Sequence, residues 1–393
     1  MSEPVASPGG VRAAPRRFLI VATNEGGGDI QPLLAIAAGL LARGHRVTAF
    51  GDAAVPPRMA PLGISTVVAP PELALGAAIG ARTREVGHLP IEAQVAWLRE
   101  RQDTWAERLA PVIEDAAVAE RAEVLVGALF GSVALRPAAE HLGLPWVVVN
   151  STFYVGPHPP RPLVLDFGPF APVFQDFFGP ALEHATLVLH ASDPEFDLGF
   201  DRLPPHHRYV GPLWWDPPAE RPGYLDASGD PWALVSLSSH TQDDLPIARA
   251  ALAALGNLPV RTLLTAGAHA GADLGPLPAN ARVVEYAPHG DVLERAALMV
   301  SHAGHGSVMR ALWHGVPMVL VPWGRDQGGV AARAERLGVA AVIPRAELTA
   351  ESLEAAARRV LADRSVAERL AAISRRLQAH DAVGAACSLI AAV

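Results

Sequence analysis

The stretch from Met299 to Gly338 limits the possible folds of this chain more than any other. A short apolar run, Leu298 to Ser301, stops at a loop of small residues, His302-Ala303-Gly304-His305-Gly306-Ser307. Met309, Leu312 and Trp313 then follow at helical spacing, so the segment reads as a strand, a tight turn and a helix start. The next turn, Gly315-Val316-Pro317, leads into a continuous apolar run, Met318 to Val321, with the character of a buried parallel strand. That run ends at Pro322-Trp323-Gly324-Arg325-Asp326-Gln327.

A helix N-terminus approached through glycines presents unpaired N–H groups and the positive end of the macrodipole, which suits a phosphate or diphosphate. Ser307 adds a hydroxyl donor and His302 an imidazole N–H. In open α/β sheets ligands sit at the carboxyl ends of strands, so two successive strand ends carrying His/Ser and Asp/Gln line one pocket. Ordinary βα turns also use Gly, Ser and Asp, but two histidines around a small-residue loop are not needed for turning.

This segment resembles the nucleotide-sugar glycosyltransferases of family 1. Plant members read HCGWNS where this chain has HAGHGS, many bacterial members read H-G-G-x-G-T/S, and the register holds through Gly315-Val316-Pro317 and the Pro322 to Asp326-Gln327 loop. The resemblance implies the GT-B fold, α/β with two Rossmann-like doubly wound parallel-sheet domains facing an interdomain cleft. It gives His302, Gly304, Gly306 and Ser307 to the donor diphosphate, and Asp326 and Gln327, with Trp323 in the same loop, to the sugar. One departure matters: plant members carry a ribose-binding Glu where this chain has Arg310, so ribose recognition does not carry over.

A length of 393 residues with 50% hydrophobic content can bury a large core and suggests two domains. The net charge of −8 argues against nucleic acid or anionic membrane as the main partner. Every one of the 32 basic residues is Arg, which excludes a Schiff-base lysine and a Walker-type phosphate loop. The single cysteine, Cys387, excludes an intramolecular disulfide and a cysteine-built metal site. Residues 1–15, rich in Pro, Gly, Ala and Ser, read as a disordered lead-in, and no stretch reaches the roughly 18 apolar residues of a membrane span. A soluble, cytoplasmic protein is expected.

Order is expected to begin with the strand Arg17 to Thr23, followed by Asn24-Glu25-Gly26-Gly27-Gly28-Asp29-Ile30-Gln31-Pro32 and a helix to Arg43, then a strand from Arg46 to Phe50. The glycine run invites a dinucleotide reading, but Gln31 and Pro32 stand where that fingerprint needs its third glycine, so an oxidoreductase is the lesser reading. Most relatives have G-H-V-x-P here, while the sterol and glycopeptide branches have G-D-V/I-x-P. Gly28-Asp29-Ile30-Gln31-Pro32 resembles the second kind.

A base on a rigid strand-to-helix turn facing the donor is what attack on an anomeric carbon needs. The His-type members pair their base with an Asp after the fourth strand; here Val124-Leu125-Val126 runs into Gly127-Ala128-Leu129-Phe130-Gly131, with no carboxylate. Asp29 is therefore read as a lone catalytic base, with a plain helix N-cap as the competing role.

Strands are further expected at Ser65 to Val68, Val124 to Val126 and Pro145 to Asn150, with helical patterns from Ile91 to Ala119. Residues 70–90 and 151–180 break the alternation and read as irregular insertions beside the ligand edge, where His88, Trp97 and Tyr154 are the candidates for contacting an acceptor. A strand-like pair spans His190 to Leu213, and the Pro-rich stretch 214–230 reads as the linker.

Beyond it, Trp232 to Leu237 opens a second α/β unit ending in Ser238-Ser239, where relatives have a Gly-Thr or Gly-Ser near the donor phosphates; Ser239 is the candidate. Tyr286-Ala287-Pro288-His289 stands where plant relatives have Trp-Ala-Pro-Gln, which gives Tyr286 and Ala287 to the nucleobase by position.

The expected domains are 16–213 for the acceptor, 231–375 for the donor, and a helix within 376–393 that returns to the first domain. The expected activity is inverting, metal-independent and cofactor-free transfer from a UDP- or dTDP-sugar to a small, partly apolar acceptor such as an aromatic or polyketide aglycone. A nucleotide-sugar 2-epimerase and a non-catalytic auxiliary of another transferase share the fold and remain alternatives. The sequence leaves open the sugar, O- against C-transfer, and whether the chain forms a homodimer.

Overall fold

The protein is described from a computed structural model covering residues 14–22, 28–74, 89–154, 171–197, 203–239 and 242–393. Its strands are β1 (Arg17–Ala22), β2 (Arg46–Gly51), β3 (Thr66–Val68), β4 (Val124–Ala128), β5 (Trp146–Asn150), β6 (Leu187–His190), β7 (His207–Tyr209), β8 (Trp232–Ser236), β9 (Arg261–Thr265), β10 (Ala281–Val284), β11 (Ala296–Ser301), β12 (Met318–Leu320) and β13 (Ala340–Val342). The helices are α1 (Ile30–Ala42), α2 (Pro56–Met59), α3 (Ile91–Glu120), α4 (Ser132–Leu142), α5 (Ala171–His184), α6 (Leu245–Leu255), α7 (His289–Leu293), α8 (His305–His314), α9 (Gln327–Arg336), α10 (Ala350–Ala362), α11 (Arg364–Gln378) and α12 (Ala382–Ala391).

Two parallel sheets result, one of seven strands in the order β3-β2-β1-β4-β5-β6-β7 and one of six in the order β10-β9-β8-β11-β12-β13. β4, β5 and β8 are buried along their whole length, as sheets covered by helices on both faces require. Strand order reverses between β1 and β4 in the first sheet and between β8 and β11 in the second. The carboxyl ends of β1 and β11 therefore face the crevices where such folds hold their ligands.

The last helix is not part of the second unit. α12 lies on α1, with Ala386, Cys387 and Ile390 joining the same apolar cluster as Leu33, Ile36 and Leu40. A Cβ on Gly39 would stand 2.6 Å from the Cys387 sulfur, so the glycine is what lets the two helices approach. Arg16 fastens the chain end by donating to the carbonyls of Ala391 (3.0 Å) and Val393 (2.6 Å).

Two expectations change. The stretch 151–180 is not irregular throughout: Ala171–His184 is helical, and Phe178, Ala181 and Leu182 bury at helical spacing. Its prolines and aromatics hid that period. The stretch 214–230 is not a bare tether, because the Trp215 N–H donates to Gln31 Oε1 (3.3 Å) and the Trp214 ring meets Trp313 edge-on at 5.7 Å. Among the described residues no helix is long and apolar enough to cross a membrane.

Candidate active site

Asp29 stands where β1 hands over to α1. Its backbone is already helical (φ −66°, ψ −31°) and its side chain makes no capping bond, unlike a capping Asp, which has extended dihedrals and accepts from the first turn. Instead Oδ1 accepts the Ser151 hydroxyl. Oδ2 is buried with no hydrogen-bond partner among the described residues. Burial pushes the carboxyl up to about 6; the Ser151 hydroxyl pulls it down, Asp326 adds to the rise and Arg325 opposes it.

Ser151 is presented by a turn that the buried end of β5 builds. The Asn150 amide donates to the Phe153 carbonyl (3.0 Å) and accepts the Thr152 N–H (3.2 Å). It also meets His190 Nδ1 at 3.1 Å; His190 Nε2 meets His207 Nδ1 at 3.1 Å, and His207 Nε2 lies 3.0 Å from the Leu182 carbonyl. A carbonyl only accepts, so His207 carries its proton on Nε2, His190 does likewise, and the chain of donors starts at Asn150. Burial lowers His190 to about 3, which keeps it neutral and the turn fixed.

In the second domain His302 follows β11. Ala303 is left-handed (φ +65°) and donates its N–H to Ser301 Oγ at 3.2 Å. A Cβ on Gly304 would lie 2.6 Å from His302 Nε2, so only glycine lets the ring lie there. Gly306 is exposed with open space where a Cβ would point, over the first turn of α8. The leading N–H groups of that helix have no carbonyl to reach within it. Ser307 is half-buried beside them. His302 itself is buried, its Nδ1 lies 3.5 Å from the Ser236 carbonyl, and burial holds the ring below its ordinary value. His305 points elsewhere, meeting Ser192 of the first domain at 3.1 Å. Ser239 is exposed just past the neighbouring strand β8.

The loop after β12 reaches the first domain: Asp326 Oδ2 accepts the Thr152 hydroxyl at 2.6 Å, and burial pushes this carboxyl up as well. Gln327 is buried and shapes the loop, its Oε1 taking the N–H groups of Trp323 (2.8 Å) and Gly324 (3.0 Å) while Nε2 donates to Gln242 (3.0 Å). Trp323 packs beneath the Arg345 guanidinium, 4.1 Å from its ring centre, with a buried indole N–H. Arg325 is exposed with a left-handed backbone (φ +59°), and its charge is felt at Asp29, His302 and Asp326 alike.

Tyr286 is 60% exposed while Ala287 is buried, an arrangement open to a stacking base. Arg310 is buried and pairs with Asp216 through two bonds of 2.7 and 2.9 Å, with Gln31 Oε1 at 3.3 Å. Arg310 thus holds a carboxylate carried in from residues 214–230.

Of the three acceptor candidates, Tyr154 must be corrected. It is buried, its N–H donates to Asp197 (2.7 Å), and its ring packs on His190 and His207, so it braces the Asn150 turn. Trp97 is half-buried on α3, and His88 lies outside the described residues. A narrow apolar crevice, with room for no more than about one water, lies at the ends of β1 and β2 between Val21, Phe50, Asp52, Leu73 and Trp105. The sequence reading missed Ser151, Thr152, Asp216 and Arg325. Two consecutive hydroxyls directly after the fifth strand were the available signal for the first pair, and the unpaired cation at Arg310 for Asp216.

Known proteins resemble this chain over most of its length. Residues 249–383 match the family model of the C-terminal domain of erythromycin biosynthesis protein CIII-like proteins. The demethyllactenocin mycarosyltransferase of Streptomyces fradiae is 30% identical over 369 residues, spanning 86% of this chain and 77% of its own. The 4'-demethylrebeccamycin synthase of Lentzea aerocolonigenes is 31% identical over 52% of this chain and 49% of its own. Among solved structures, the calicheamicin glycosyltransferase CalG4 superposes with a TM-score of 0.77 at 22% identity, covering 97% of this chain and 98% of that one. The kitacinnamycin glycosyltransferase gives 0.73 at 25%, covering 96% and 99%. The chain therefore belongs to the glycosyltransferases of antibiotic and natural-product biosynthesis, enzymes of the GT-B fold.

Proposed function

We propose that this glycosyltransferase moves a sugar from a UDP- or dTDP-sugar to a small, partly apolar acceptor by direct displacement at the anomeric carbon, with inversion and without metal or cofactor. The observation that carries the reading is Asp29, a buried carboxylate at the switch point of the first domain that makes no capping bond and keeps one oxygen without a hydrogen-bond partner among the described residues. That oxygen takes the acceptor proton as the new C–O bond forms, and the diphosphate leaves with the electron pair of the bond it gives up. Negative charge building on the leaving group is met by the first-turn N–H groups of α8, Ser307, His302 and the nearby Arg325. Two solved neighbours hold thymidine diphosphate, VinC and SpnG, which supports including dTDP among the donors tested.

The test begins with UDP-glucose and dTDP-glucose against pooled aromatic and polyketide aglycones, read by mass spectrometry before and after exhaustive chelation. Asp29→Asn should then cut turnover of the pair found by about 10²–10⁴-fold while leaving nucleoside-diphosphate affinity unchanged. Near-normal turnover of that variant would remove Asp29 from catalysis, and rescue of a chelated enzyme by magnesium or manganese would remove the metal-free mechanism.

A further inference from the structure

We propose that Ser151 is the positioning residue of Asp29: its hydroxyl fixes one carboxylate oxygen so that the other faces the acceptor, and the adjacent Thr152 ties this geometry to the donor-side loop. The inference rests on Asp29 being the base. No carboxylate follows β4 in this chain, and the group that reaches Asp29 is the hydroxyl of the residue after β5.

Four features of the structure support the assignment. Ser151 donates to Asp29 Oδ1, while Oδ2 is buried and has no partner among the described residues, so the two oxygens are already differentiated. The turn bearing Ser151 is held by the Asn150 amide and the two buried histidines behind it, which leaves the hydroxyl little freedom. Thr152, the next residue, donates to Asp326 at 2.6 Å, so consecutive hydroxyls grip one carboxylate from each domain. Among the described residues the charged groups facing Asp29 are Asp326 and Arg325, both on the loop that Thr152 holds. Closing that loop onto the turn therefore sets the field at the base as well as its aim.

Burial disfavours the ionised form of Asp29 that a base needs, and the hydrogen bond donated by Ser151 favours it. During transfer the acceptor proton passes to Asp29 Oδ2 and Ser151 keeps its own. Ser151 thus acts through Asp29 without touching the reacting atoms.

The full-length protein labelled with [γ-¹³C]aspartate, with Asp29→Asn used to assign the resonance, allows the Asp29 titration to be followed in wild type, Ser151→Ala and Ser151→Thr. Ser151→Ala should raise the midpoint by about one pH unit, the size set by losing a hydrogen bond to a charged group. The acid limb of kcat/KM for the acceptor found with the panel above should move up with it, about tenfold in rate at the acid end. Ser151→Thr should restore both, and nucleoside-diphosphate affinity should be the same in all three proteins.

An unmoved midpoint in Ser151→Ala would overturn the proposal, as would a midpoint that moves while the acid limb stays in place. An active Asp29→Asn would end the base assignment and this role with it. The failures are distinguishable, because the titration of Asp29 is read without turnover.

Discussion

At the scale of single residues, a carboxylate beside a helix N-terminus is either a cap or something the helix does not need. Asp29 makes no bond to the first turn of α1, so Asp29→Ala should leave the melting temperature nearly unchanged, whereas removing a working cap costs about 1 kcal/mol. A clear drop in thermal stability would return Asp29 to a capping role. His302 gives a second prediction. Its Nδ1 points at a carbonyl, which can only accept, so the neutral ring carries its hydrogen there and leaves a lone pair on Nε2. A diphosphate oxygen at Nε2 requires that nitrogen to be protonated, and burial keeps it unprotonated in the free enzyme. Donor binding should therefore take up a proton, and nucleoside-diphosphate affinity should rise as pH falls toward the ordinary histidine range near about 6.5. Calorimetry in buffers of different ionisation enthalpy measures the uptake; an equal proton count in His302→Gln would show that it arises elsewhere.

At the scale of elements, the sequence revealed what is periodic and local. Continuous apolar runs such as Phe18 to Ala22 and Val124 to Val126 could only be covered parallel strands, and loops of small residues after them marked the ligand edge. What it could not show is which loop ends become neighbours. Ser151 and Asp29 are 122 positions apart, and Arg310 and Asp216 are 94 apart, so no spacing rule joins them. The helix Ala171–His184 was hidden by prolines and aromatics, and Tyr154 looked like a binding aromatic because the buried Asp197 it bonds could not be located in advance. The contact between α1 and α12 yields a prediction at this scale. Gly39→Ala would place a methyl group 2.6 Å from Cys387 Sγ and 2.7 Å from Val383 Cγ1, and such overpacking costs about 1–3 kcal/mol. A denaturant midpoint equal to wild type would mean that the last helix lifts off α1 at no cost.

At the scale of the whole molecule, the two domains meet through polar groups taken out of water. Arg333 reaches Asp197 at 3.2 Å with both nearly inaccessible, Arg376 reaches Asp193 at 3.0 Å, and His305 reaches Ser192 at 3.1 Å. Closure of this kind tolerates little change in protonation. Burial lowers His190 and His305 to about 3 and His289 to about 4. Below the ordinary histidine value the unfolded chain binds protons that these folded rings refuse, and each such group removes about 1.4 kcal/mol of stability per pH unit. Asp29 and Asp197 act in the opposite sense, since burial raises both to about 6 and they take up protons in the folded state before unfolded carboxyls do. The lowered histidines, these three together with His45, His302 and His314, outnumber the raised carboxyls, Asp29 and Asp197 together with Asp326, so stability to urea should decline as pH falls from about 6 to about 4. Replacing His305 by Asn, which does not titrate there, should flatten the decline by roughly one proton's worth. Stability that stays level or increases below pH 6 would mean that these rings do take up protons inside the folded protein, and that the interdomain contact through His305 opens to let them.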